Sequence, residues 1–93
     1  LTPIRRDFAF VVSDDTAASA IVKAAQSADK TLVEAVTVFD VYQGPGIAAD
    51  QKSIAIEVVL QPRGETLKDQ DIEAVSQKII AAVAKSTGGV LRG

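Results

Sequence analysis

An α+β fold is what this sequence predicts: a four-stranded antiparallel sheet with two helices on one face and the other face open. Three observations lead there. Apolar residues alternate with a period of two in two segments and a third is a long β-branched run, which are signatures of strands. In two other segments they recur at three- and four-residue spacing, as an amphipathic helix requires. The segments follow the order strand, helix, strand, strand, helix, strand, and a chain of 93 residues has room for one such unit and one modest core.

The first strand covers residues 4 to 12, "IRRDFAFVV". Phe8, Phe10 and Val12 share one of its faces, and Arg5, Asp7, Ala9 and Val11 the other. "SDDT" at 13 to 16 is a turn and helix-start cluster. Ala17, Ala20, Ile21, Ala24, Ala25 and Ala28 then form a helical stripe of small residues, suited to close packing on a sheet. The β-branched run 31 to 43, "TLVEAVTVFDVYQ", is the second strand, and "GPGIAAD" is a loop punctuated by Gly and Pro. In 52 to 61, "KSIAIEVVLQ", Ile54, Ile56, Val58 and Leu60 face one way, and Ser53, Ala55, Glu57 and Val59 the other.

"PRGET" breaks the chain. From about Asp69 to Lys85, Ile72, Val75, Ile79 and Val83 mark a second amphipathic helix, widened by Ile80 and Ala82. Asp69, Asp71 and Glu73 suit its positive end and Lys85 its negative end. Asp69 is the expected cap. "TGG" closes the helix, and "VLR" makes a short last strand. This is the ferredoxin-like βαββαβ order, in which right-handed crossovers place both helices on one face.

Composition excludes several function classes. The chain has no His, Cys, Asn or Trp. Without His and Cys a zinc site is improbable, and the Ser–His and Cys–His nucleophile pairs are absent. The lack of Cys fits a cytoplasmic location. The longest apolar runs fall far short of a membrane span. The chain begins at Leu1 rather than Met, so a piece of a longer protein is expected. Net charge is −2, whereas a domain that binds nucleic acid tightly by itself is normally basic. Any nucleic-acid contact must be local.

The stretch "FDVYQGPGIAADQKSIAIEV", residues 39 to 58, holds the only tyrosine. With Phe39 and Val41 directed to the helices, Asp40 and Tyr42 point to the open face. Ser53 points there too if Ile54 and Ile56 pack inward. A β-bulge anywhere in 36 to 43 would flip this assignment. An aromatic ring on a bare sheet is a platform for an unpaired base, and a carboxylate beside it suits a base edge with two adjacent donors, as guanine has. The plainer reading is that Tyr fits any half-buried pleat and that Asp40 pairs with Arg5 or Arg6 on the surface. "GPG" lacks the Lys-Ser/Thr of a phosphate-binding loop and is a turn.

The stretches "PIRRDFAFVV", "FDVYQGPGIAADQKSIAIEV", "ETLKDQDI" and the closing "LRG" resemble, in order and spacing over essentially the whole chain, the ferredoxin-fold anticodon-binding domains that close the β subunit of bacterial phenylalanyl-tRNA synthetases. The resemblance implies a non-catalytic module of a class II ligase with two α and two β subunits. That enzyme uses ATP and magnesium at a site on its α subunit. No cofactor is implied for this segment. The implied partners are the anticodon loop of tRNA(Phe), the rest of the β subunit and the α subunit. By motif position the resemblance assigns Asp40, Tyr42 and Ser53 to the first anticodon base, a guanine. Arg5, Arg6 and Lys52 are candidate phosphate contacts. Two other readings share the fold. A regulatory module would bind a small molecule at a dimer interface. An acylphosphatase-like hydrolase would need a catalytic Asn, which this chain lacks.

Overall fold

Residue alternation in the strands becomes two faces of one sheet. The computed structural model describes residues 1–92. Its elements are β1 (Ile4–Ser13), α1 (Ala18–Ala28), β2 (Val33–Tyr42), β3 (Gln51–Leu60), α2 (Asp69–Thr87) and β4 (Val90–Leu91). The sheet order is β2-β3-β1-β4. Strand β1 pairs antiparallel with β3 and with β4, and β2 pairs antiparallel with β3. The predicted βαββαβ architecture is the one observed.

The core lies between the sheet and the helices. Phe8, Phe10 and Val12 of β1 and Ile54, Ile56, Val58 and Leu60 of β3 meet Ile21, Ala24 and Ala25 of α1 and Val75, Ile79 and Val83 of α2. Register explains the shared face, because residues directly opposite in an antiparallel pair point the same way. Phe8 faces Ile56, and Phe10 faces Ile54. The Phe8 and Phe10 rings stack with centroids 6.1 Å apart. Each such side chain, fully buried, stabilises the fold by roughly 1.5–3 kcal/mol. The alanines of α1 let its backbone approach the sheet.

The helix ends differ from expectation. The "SDDT" cluster forms a tight turn, with the Ser13 hydroxyl donating to Asp15 Oδ1 at 2.7 Å. Helix α1 starts after it, at an Ala17 cap that offers no side-chain acceptor. At α2 the cap position is Lys68, not Asp69. Asp71, three residues on, accepts from the Lys68 backbone N–H at 2.9 Å. A lysine has no acceptor to return the favour, so only half of a capping box forms.

One departure matters for function. Val38 faces Ile56 and Asp40 faces Ala55, so Phe39 is an extra residue in β2. A bulge of this kind shifts the side-chain alternation by one. Before it, Val36 and Val38 pack toward the helices; after it, Val41 opposite Ile54 is on the helix side. The expectation that Phe39 points to the helices is therefore corrected. Phe39 is 57% exposed and lines a shallow depression with Thr37, Asp7 and Glu57, the latter two on the open face. Val41 has the expected side, yet lies where the helices leave it half exposed.

Candidate nucleic-acid interface

The bulge is what brings the polar end of β2 to the open face. Had the alternation of Val36 and Val38 run on unbroken, Asp40 and Tyr42 would have turned toward the helices. Instead Asp40 lies opposite Ala55, and Tyr42 opposite Ser53. Across β3 the same rows continue to Ala9 and Val11 of β1. Val90 of β4 extends the Val11 row. The Arg92 N–H donates to the Ala9 carbonyl at 2.7 Å, which extends the Ala9 row. Two rows thus cross the face: Arg92–Ala9–Ala55–Asp40 and Val90–Val11–Ser53–Tyr42.

The middle of the two rows is made of Ala9, Ala55, Ser53 and one larger residue, Val11. Tyr42 is held at the hydroxyl end of its side chain. Its hydroxyl donates to the Pro45 carbonyl at 2.8 Å. Gly44, at φ +150°, sits so close to the ring that a Cβ there would stand 3.0 Å from Tyr42 Oη. Only glycine combines this conformation with this approach. From the far edge the Arg92 guanidinium reaches over the ring, its Cζ 5.4 Å from the centroid, within cation–π range. Ser53 is 3% exposed although no helix covers this face. Asp40 is exposed.

The expected base-reading residues Asp40, Tyr42 and Ser53 are therefore neighbours on the open face. The expected phosphate cations are placed differently. Arg5 Nη1 is 2.9 Å from Glu57 Oε1, and its row partner Val59 is six residues along β3 from Ser53. At the rise of a strand that separation is about 20 Å. Arg6 pairs with Val58 in register, and its Nη1 donates to the Arg5 carbonyl at 3.0 Å. Lys52 lies opposite Val12, on the helix side, at the rim next to Ser53. Neither Arg5 nor Arg6 pairs with Asp40 among the described residues. The cation that does stand in the site is Arg92. It belongs to the closing "LRG", and nothing local in the sequence marks it as a neighbour of Tyr42. Phe39 was also missed as a surface aromatic.

Residues 2–92 match the family described as Ferredoxin-fold anticodon binding domain. The chain belongs to this family. Among its curated relatives, the phenylalanine–tRNA ligase β subunit of Nitrobacter winogradskyi is 60% identical over 91 residues, which are 98% of this chain and 11% of that protein. The β subunit of Rhodopseudomonas palustris is 58% identical, again over 98% of this chain and 11% of its own length. That of Paramagnetospirillum magneticum is 58% identical over 93 residues, all of this chain and 12% of the relative. The anticodon-binding domain thus spans about a ninth of the length of the curated relatives it matches.

Proposed function

We propose that this domain reads the anticodon of phenylalanine tRNA as part of a phenylalanine–tRNA ligase β subunit. The carrying observation is the Tyr42 ring on an uncovered sheet face, delivered there with Asp40 by the bulge at Phe39, in a domain of the anticodon-binding family. The ring stacks the first anticodon base. Stacking on one aromatic side chain contributes about 1–3 kcal/mol. The Asp40 carboxylate accepts from the two adjacent donors on the Watson–Crick edge of guanine, and an adenine there would offer it only one. The Ser53 hydroxyl, one strand over, hydrogen-bonds the same base once it is uncovered. Lys52, at the rim, is the best placed of the three expected cations to meet a phosphate.

The domain itself supplies recognition and no chemistry. ATP and magnesium act in the parent enzyme, on the α subunit of a cytoplasmic assembly of two α and two β chains. A net charge of −2 fits that division of labour, since most tRNA affinity then comes from other surfaces. In the complete ligase, Tyr42→Ala should raise the KM for tRNA while leaving ATP-dependent activation of phenylalanine intact. An equal loss in both steps would make Tyr42 a structural residue and defeat the reading.

A further inference from the structure

We propose that Arg92 is the second wall of the base slot, so that the first anticodon base enters between the Tyr42 ring and the Arg92 guanidinium. The proposal rests on the anticodon-reading function and adds a residue to it. Three observations support it. The first is the placement of Arg92 Cζ 5.4 Å from the Tyr42 centroid. The second is the floor beneath the pair. Strands β2 and β4 are the two edges of a four-stranded sheet, about 14 Å apart at the usual strand spacing. Two long side chains meet across that width only by lying toward each other over the residues between, which are Ala9, Ala55, Ser53 and Val11, none longer than a valine. The third is the burial of Ser53 on a face that no helix covers. The ring and the guanidinium together close the space above it.

A guanidinium is planar and stacks on bases as it does on aromatic rings. A base inserted between two stacked planes needs about 6.8 Å, twice the ~3.4 Å rise between stacked bases. The 5.4 Å from Arg92 Cζ to the ring centroid is less than that, so a base does not fit between them as they stand. A small rotation of the Arg92 side chain supplies the difference while its backbone stays hydrogen-bonded to Ala9. The same motion uncovers Ser53 for the base edge. Without RNA, Arg92 thus leans toward the ring and narrows the slot.

The test uses the complete ligase with wild type, Arg92→Ala, Arg92→Lys and Tyr42→Ala, measuring the KM for tRNA, kcat and amino-acid activation at several salt concentrations. The expected result for Arg92→Ala is a KM raised about five-fold or more, with activation unchanged. Arg92→Lys keeps the charge but not the plane. Its KM should stay several-fold above wild type while its salt dependence returns to normal. A wild-type KM for Arg92→Lys would make Arg92 a point charge for phosphate and overturn the proposal. A wild-type KM for Arg92→Ala would overturn it outright. Tyr42→Ala separates the two levels. If it raises KM and the Arg92 variants do not, only the second wall falls; if Tyr42→Ala is also silent, the base-stacking reading falls with it.

Discussion

Substituting Gly44 by alanine tests how the ring of Tyr42 is held. Two penalties add. Gly44 has φ +150°, a region that L residues rarely adopt, and forcing one there costs about 1–3 kcal/mol. The new Cβ would also stand 3.0 Å from Tyr42 Oη and 3.2 Å from Cζ, so the ring must move. A shift of a few tenths of an ångström weakens the 2.8 Å bond from the hydroxyl to the Pro45 carbonyl. Such a bond contributes about 0.5–1.5 kcal/mol, and the low end applies because Pro45 is exposed and its carbonyl can be rehydrated. The total is about 2 kcal/mol, or a fall in Tm of roughly 8–16 °C for a domain of this size. Gly46→Ala is the matched control. Its φ is +93°, but nothing lies within 4 Å of the added Cβ, so only the backbone penalty applies. Thermal unfolding followed by circular dichroism compares the two. With no Trp and a single Tyr, the intrinsic fluorescence of the chain reports on this ring alone. Equal Tm losses in the two variants, with tyrosine emission unchanged, would show that Gly44 does not hold the ring and would refute the reasoning.

Two further outcomes concern the scaffold. Phe10→Ala removes a fully buried ring from the centre of β1 and should destabilise by about 3–5 kcal/mol, read as a lower urea midpoint. Asp29 follows α1; burial raises its pKa, but the Leu32 and Thr31 amides and then Lys78 outweigh that and hold the carboxyl below its ordinary value. A depressed carboxylate adds stability above its unfolded pKa and loses it as pH falls through the folded one. Asp29→Asn should therefore be less stable than wild type at pH 7, and the gap should close as pH falls below about 4. A gap independent of pH would assign the effect to shape rather than charge.

Element order and core were legible because each rests on local periodicity. Phe8, Phe10, Ile54, Ile56, Ile79 and Val83 announce their faces by spacing alone, and all are in the core. The open-face placement of Asp40 and Tyr42 was also legible, though by a different route from the one the structure takes. The run from Val36 to Tyr42 is apolar enough to fit either phase, and a bulge leaves no mark in composition. What the sequence hid depends on residues far apart in the chain. Arg5 finds Glu57 from 52 residues away. Arg92 comes to lie over the Tyr42 ring only because β4 docks beside β1. The burial of Ser53 on the face away from the helices could not be read at position 53.

The single extra residue at Phe39 also bears on how this chain compares with its kin. Side-chain roles carry from one member to another only if both count the same number of residues between the inward Val38 and the outward Asp40. A relative one residue shorter there could match "DVY" letter for letter and still turn those letters toward its helices. Alignment of the motif is thus a weaker warrant for shared base recognition than alignment of the motif together with its kink.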